Sequence, residues 1–173
     1  KGATKTLLSA LCVVSEVEFF ELYEGQGLFD DQMRLLGEYG YRLQRIESPQ
    51  YWQPIPQAGH GFMTVGEAVW LKYAMDSETH KRCRMPIDVL TDWELLRLIG
   101  VSFSFDAHGY TYSLGMELKR RNPALFAQMA EMDGYKIAHK IMGIMDAGKE
   151  QYKLDPMHWL QGPAKITVRK PVI

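Results

Sequence analysis

Two glutamates near the end of an apolar segment are the first residues whose type and spacing could do chemistry. Glu16 and Glu18 lie in the run from Leu11 to Phe20, and a turn-like stretch follows it. A carboxylate can accept a proton from a hydroxyl or orient it, and ligands of open α/β sheets bind beyond the carboxyl ends of the strands. We therefore take Glu18 and then Glu16 as candidate catalytic residues. Tyr23 and Gln26, in the turn, are candidate substrate contacts.

Each of these four residues also has a purely structural interpretation. A carboxylate at the end of a strand can cap a neighbouring helix or pair with a lysine. Tyr23 and Gln26 can fix the turn instead of contacting a substrate. The sequence leaves both interpretations open.

A metal site is a weaker hypothesis. His80 and Cys83 have a spacing that could place two ligands on one helical turn, and His60 or His108 could complete a set. Zinc sites usually carry tighter paired motifs than this. We therefore predict no metal site.

Aromatic and sulfur-containing side chains offer a third kind of site. Trp52, Trp93 and Trp159 could stack on a sugar or a base, but a buried or half-buried packing role is the more common use of such residues. The methionines of the last predicted helix could line an adaptable groove, although core filling is again the more common use. We predict packing roles for both sets.

Composition limits the partners and the compartment. The 173 residues are 46% apolar and 24% charged, with a formal net charge of -1, which is typical of a globular domain. Without a basic excess, nucleic acid is not a predicted partner. Two cysteines are too few for a disulfide framework, which favours a cytoplasmic location. No segment reaches the roughly 18 to 20 apolar residues that a membrane span requires.

The pattern of the first part of the chain predicts alternating strands and a helix. The apolar, β-branched run from Leu11 to Phe20 is typical of a strand buried on both faces, which favours a parallel sheet covered by helices. The remaining predicted elements are a helix from Leu28 to Tyr39 capped by Gly40, a strand from Tyr41 to Glu47 stopped by Ser48-Pro49, a long loop from Pro49 to Thr64, and a strand from Glu67 to Tyr73.

The later part of the chain is predicted to be mainly helical. Thr91 and Glu94 have the spacing of a capping box and begin a helix over 95–99 that Gly100 is expected to end. Residues 101–105 alternate in polarity and predict a short strand or an irregular segment. Asn122-Pro123 then predicts a helix from Ala124 to Met145 with a possible break near Gly134. Its expected apolar face is Leu125, Met129, Met132, Ile137, Ile141 and Ile144.

The segment from Glu16 to Phe29 reads Glu-Val-Glu-Phe-Phe-Glu-Leu-Tyr-Glu-Gly-Gln-Gly-Leu-Phe. It closely resembles the FkbM-type methyltransferase pattern, in which a strand ending in Glu-Val-x-Phe runs into Leu-Tyr-x-Gly-Gln-x-Leu-Phe. Lys1-Gly2-Ala3 with Leu7-Leu8, and the segment from Gly66 to Lys72, resemble further pieces of the family in the expected order. The resemblance covers residues 1–73, and residues 74–173 resemble no family that we recognise.

The resemblance implies an α/β fold: the last three strands of a Rossmann-like, seven-stranded methyltransferase sheet, with the seventh strand antiparallel between the other two. Residues 1–73 would form this C-terminal portion of the methyltransferase domain, and a mainly helical extension over 74–173 would follow it. Glu21 and Gly27 stand where prolines are common in the family. In the family, the glycine-rich cofactor loop and an acidic residue lie upstream of the portion that residues 1–73 resemble. Cofactor binding is therefore expected to be incomplete in this chain.

The resemblance further implies an enzyme that transfers a methyl group from S-adenosylmethionine, in the intact protein, to a hydroxyl of a sugar or another small metabolite. Glu18 and Glu16 would lie on the acceptor side of the site, with Tyr23 and Gln26 beside them. The main alternative is a non-catalytic module that keeps these strands and binds a protein partner through the helices. A glycosyltransferase is a third possibility. The sequence predicts no oligomeric state.

Overall fold

The computed structural model describes residues 3–52, 61–75 and 85–152 of the chain. Helices and strands alternate in the first part and helices dominate the second. The helices are α1 Thr4–Ser9, α2 Phe29–Glu38, α3 Asp92–Ser104, α4 His108–Arg121, α5 Pro123–Gln128 and α6 Lys136–Tyr152, and the strands are β1 Cys12–Glu18, β2 Tyr41–Tyr51, β3 Met63–Lys72, β4 Ala74–Met75 and β5 Met85–Pro86. Among these described helices, none has the length and apolar character to cross a bilayer.

The main sheet has three strands in the order β1-β3-β2. Both neighbours pair antiparallel with β3: Val14 lies opposite Val69, and Leu43 lies opposite Trp70. β1 and β2 therefore run in the same direction on either side of β3. The prediction that the first strand pairs with the last rather than with the second is confirmed, and the described chain is mixed α/β.

The expectation that β1 is buried on both faces is wrong for the described residues. Val17 is fully buried beneath α2, but Val14 on the other face is 51% exposed. Each pairing within this sheet is antiparallel, so the parallel pairing predicted for β1 is not found in the described residues. The short strands β4 and β5 pair parallel in a separate two-stranded sheet. A run of apolar residues indicates that both faces of a strand are hydrophobic, but it does not indicate which elements pack on those faces.

β2 continues beyond the predicted stop at Ser48-Pro49. Ser48 adopts a left-handed backbone conformation with φ of 47°, and the register with β3 shifts between Glu47 and Gln50. A bulge on an edge strand accommodates proline because no ladder hydrogen bond requires its missing N–H. β3 likewise begins earlier than predicted, at Met63.

The helix α2 covers one face of the sheet and was predicted correctly. Its Phe29 ring lies between Phe19 and Trp70, at ring-centre distances of 5.1 and 5.8 Å. Gly40 ends the helix with φ of 82°, a conformation that glycine adopts without strain. The buried side chains of this first core are Val17, Leu36, Tyr41, Ala68 and Trp70.

The buried ammonium group of Lys72 joins the sheet to two helices. Its Nζ donates hydrogen bonds to the carbonyl oxygens of Leu7 and Tyr39, at 2.8 and 2.6 Å, and lies 4.2 Å from the centre of the Tyr41 ring. The Tyr41 hydroxyl donates to the carbonyls of Leu7 and Ala10 at 2.9 and 2.7 Å. Burial lowers the pKa of Lys72 and raises that of Tyr41 to about 12.

The second core lies among the later helices. Thr91 and Glu94 form the predicted capping box: the Thr91 hydroxyl accepts from the Glu94 N–H at 3.2 Å, and the Glu94 carboxylate accepts from the Thr91 N–H at 2.9 Å. The largest buried residues of this core come from α3, α4, the segment after α5, and α6: Leu95, Leu98, Ile99, Leu114, Leu118, Met129 and Met142.

Gly100 does not end α3, which continues to Ser104 through the segment predicted to be a short strand or irregular. A Cβ atom at Gly100 would lie 2.9 Å from the Tyr135 hydroxyl oxygen. The glycine thus allows close contact between α3 and the turn before α6. Glycine inside a helix can serve packing as well as termination.

The predicted helix over 124–145 is divided in two, as the break near Gly134 suggested. Asn122 caps α5 by accepting from the Leu125 N–H at 3.0 Å, and Gly134 has φ of 86°. The break changes the helical phase, so α6 buries Ala138 and Met142 against α4.

The predicted apolar face is correspondingly wrong for two residues. Ile137 and Ile144 are 65% and 62% exposed. Met142 instead lies where a side chain at Gly115 of α4 would stand, so the two helices approach closely at that glycine.

An ion-pair network fixes α4 to the segment before α3. The Glu117 carboxylate accepts from Arg120 at 2.7 Å and from Arg121 at 2.6 Å, and Arg121 also donates to Asp88 and to the Leu90 carbonyl. The hydrogen bond from Arg120, with that from Arg121, lowers the pKa of Glu117 to about 2.

We predict that Glu117→Gln lowers the free energy of unfolding at pH 7 by about 1 to 3 kcal/mol, because it removes charge-assisted hydrogen bonds. A carboxyl whose pKa falls from 4.5 to about 2 on folding stabilises the protein above pH 4.5, and this stabilisation is lost as pH falls toward 2. Urea denaturation across that range should therefore show a shallower pH dependence for the variant. Glu131→Gln, at an exposed site, is the control, and equal effects of the two substitutions would contradict the prediction.

Candidate functional site

The two candidate catalytic carboxylates share one face of β1. Successive side chains of a strand point to opposite faces, so Glu16 and Glu18 lie on the side away from Val17 and α2. Glu18 is the last residue of β1 and is half-buried, whereas Glu16 is exposed. Within the described residues, neither carboxylate has a hydrogen-bond or ion-pair partner. The structure therefore does not support a capping or lysine-pairing role for either residue in this part of the chain.

The sheet register adds two carboxylates that the sequence did not reveal. Glu67 of β3 lies directly opposite Glu16 of β1 on one side and Glu47 of β2 on the other. Like charges on directly opposed residues repel one another. An ion pair with Arg45 offsets the charge of Glu47. Glu16 and Glu67 have no ion-pair partner in the described chain, so their negative charges on this face of the sheet are not offset.

A polar network on the other face fixes the backbone beside Glu16. The Trp70 indole N–H donates to the Ser15 hydroxyl at 3.0 Å, and Ser15 donates to the Gln32 side-chain oxygen at 2.9 Å. The Gln32 amide nitrogen then donates to the Glu16 carbonyl at 2.8 Å. Helix α2 thus holds β1 through hydrogen bonds as well as apolar contacts.

The turn after β1 holds the two candidate substrate contacts in different ways. The side-chain oxygen of Gln26 accepts from the Leu22 N–H at 3.0 Å, and the Gln26 N–H donates to the Tyr23 carbonyl at 3.0 Å. Glu21 accepts from the Gly25 N–H at 2.7 Å. Gln26 therefore fixes the turn. The side chain of Tyr23 is 74% exposed and is free to meet a ligand.

Exposed aromatic rings border the same end of the sheet. Phe20 follows β1 and lies 6.2 Å from Phe62, ring centre to ring centre, while the Trp52 N–H donates to the Phe62 carbonyl at 2.8 Å. Trp52 is 59% exposed and Trp93 is 58% exposed, so the predicted packing role is wrong for both. Trp159 lies outside the described residues.

The histidine and cysteine hypothesis finds no support in the described residues. His60, His80 and Cys83 lie outside the described ranges. The imidazole of His108 is near Asp106, at 3.9 Å, and its ring is 5.4 Å from that of Phe103. Across the described ranges, no group of three His, Cys, Asp or Glu residues is placed to hold a metal ion.

Comparison with protein-family models, with curated proteins and with solved structures finds no match to this chain. The arrangement at the end of β1 must therefore be interpreted from its own geometry. It combines free carboxylates, an ordered turn and exposed aromatic rings.

Ser15→Ala is predicted to destabilise the protein by about 1 to 3 kcal/mol, because the buried Trp70 indole N–H loses its acceptor. Urea denaturation should measure this loss. Ser113→Ala is the matched control, since the Ser113 hydroxyl donates only to the Gly109 carbonyl on an exposed helix surface. If the two variants were equally stable, the network would not hold β1 in place.

Proposed function

We propose that this chain is the C-terminal part of an S-adenosylmethionine-dependent methyltransferase with a Rossmann-like sheet. In the intact protein the enzyme would methylate a hydroxyl of a sugar or another small metabolite. The observation that carries the proposal is the strand order β1-β3-β2, with an antiparallel strand between two that share a direction. The resemblance of residues 1–73 to FkbM-type enzymes implies this order for strands five, seven and six.

The free edge of β1 gives further support. Within the described residues β1 pairs only with β3. In a seven-stranded sheet of this type, earlier strands would continue from that edge. The cofactor would bind to those earlier strands, and the acceptor would bind near Glu18.

The chemistry of methyl transfer suits the residues at the end of β1. The acceptor hydroxyl must be held in line with the methyl group of the sulfonium, and a carboxylate can orient it or accept its proton. Glu18 would take this role, with Glu16 beside it. The exposed rings of Phe20, Trp52 and Phe62 suit the apolar face of a sugar or a similar ring.

A second candidate is a non-catalytic module that binds a protein partner. The exposed side chains of Ile137 and Ile144, which lie along one stripe of α6, favour it. The complete coding sequence distinguishes the two candidates. A glycine-rich loop after an upstream strand would favour the methyltransferase, and its absence would favour the interaction module.

We predict that the chain alone binds S-adenosylmethionine weakly or not at all, because the glycine-rich loop and ribose-binding carboxylate of such enzymes are not encoded in it. Isothermal titration calorimetry should detect no binding in the micromolar range. A stoichiometric micromolar complex would contradict the proposed division of the site.

In the complete enzyme, Glu18→Gln is predicted to reduce the rate of methyl transfer about 10²- to 10⁴-fold, since it removes a base or an orienting carboxylate while keeping the shape of the side chain. Cofactor affinity should remain near the parental value. Glu24→Gln, in the exposed turn, is the matched control and should keep the parental rate. A parental rate for Glu18→Gln, or joint loss of cofactor binding and activity, would identify Glu18 as a structural residue.

A further inference from the structure

A surface cavity of about 710 Å³, widely open to solvent, lies between the start of β1, one face of α3 and the turn before α6. Its size falls within the range of roughly 300 to 1,000 Å³ that is typical of small-molecule sites. It opens beside Leu11 and Cys12, whereas Glu18 stands at the opposite end of β1. At about 3.3 Å per residue, the two ends are roughly 20 Å apart. The cavity is therefore separate from the proposed methyl-acceptor site.

The walls of the cavity are mainly apolar. Leu11, Val101 and Phe105 supply aliphatic and aromatic surface, and Gly134 and Gly100, on which the Tyr135 ring packs, complete the backbone part of the lining. Such a lining favours an apolar ring or chain.

The polar groups of the cavity are donors. Arg97 is exposed at its rim and has no ion-pair or hydrogen-bond partner within the described residues. The hydroxyl of half-buried Tyr135 lies beside Gly100, and burial raises the pKa of this phenol, which keeps it protonated. Burial also raises the pKa of the Cys12 thiol, so this group stays neutral and suits packing rather than nucleophilic attack.

No acidic side chain lines the cavity among the described residues. The nearest carboxylate along α3, that of Glu94, caps the helix with Thr91, and the charge of Arg97 contributes to lowering its pKa. Asp106 and Asp133, which neighbour the lining in the sequence, pair with Arg45 and Lys136, so Arg97 is the charged side chain of the lining. One guanidinium matches a carboxylate with two parallel hydrogen bonds, whereas a phosphate dianion usually requires several cations or a backbone cradle.

We propose that this cavity binds a small monocarboxylate with an apolar ring or chain. The carboxylate pairs with Arg97 and accepts a hydrogen bond from Tyr135, while the apolar part packs on Val101 and Phe105. This site and its ligand are independent of methyl transfer.

The test uses the full 173-residue chain, labelled with ¹⁵N, and phenylacetate as the probe. Titration followed by NMR should shift the amide signals of Gly100 and Gly134 in a saturable manner. Phenylacetamide, which has the same ring without the charge, should bind at least about 10-fold more weakly. Equal affinity for the two probes, or no shift at these glycines at millimolar phenylacetate, would overturn the proposal.

Two variants separate recognition from folding. Arg97→Gln should weaken phenylacetate binding about 10-fold and leave phenylacetamide binding unchanged, while Arg34→Gln, at an exposed ion pair on α2, is the matched control. Ser104→Phe places a ring into the cavity from its rim and should abolish binding of both probes. Circular dichroism must show parental folding for each variant. An Arg97→Gln protein that is folded and binds phenylacetate with parental affinity would refute the assigned role of Arg97.

Discussion

The first part of the structure depends on a buried positive charge that must be satisfied. Lys72 lies on the central strand with almost no solvent contact, and an ammonium group removed from water is costly unless acceptors surround it. The carbonyls of Leu7 and Tyr39 are those acceptors. Both belong to the C-terminal parts of helices, where the helix dipole is negative. The position of α1 and the end of α2 over the sheet therefore follows from the need to solvate one lysine.

This constraint also explains what the sequence could predict. Local signals were reliable: the helix ended by Gly40, the capping box at Thr91 and the cap at Asn122 all occur as predicted, because neighbouring residues determine them. The strand order was predicted mainly through a resemblance, and the apolar character of residues 68–71, compared with the polar residues of the second strand, supported it. Lys72 lies near the end of the predicted apolar strand from Glu67 to Tyr73. None of its neighbours in the sequence indicated that the fold would bury its side chain.

The errors arise where distant residues decide the structure. The helix α3 continues through Gly100 because Tyr135 packs against that glycine. The strand β2 continues through Pro49 because β2 lies at an edge of the sheet. The outward face of α6 changes because the break at Gly134 alters its phase. At the candidate site, the sequence suggested Glu16, Glu18, Tyr23 and Gln26 as candidates, but the row of Glu16 with Glu67 and Glu47 depends on register. The pairing of Glu47 with Glu67 follows from a bulge in β2 between Leu43 and Arg45, and the sequence of a single strand does not reveal this bulge.

In the part of the chain that the structure describes, one edge of β1 is unpaired, which matters wherever this chain occurs without the earlier strands proposed above. An unpaired strand edge is a template for adding another strand, and proteins commonly protect such edges with charged side chains. If two copies approached through this edge, Glu16 and Glu18 of one copy would come near the same residues of the other. Their mutual repulsion opposes the formation of a continuous intermolecular sheet. The carboxylates that we propose for catalysis would therefore also keep copies of the chain apart.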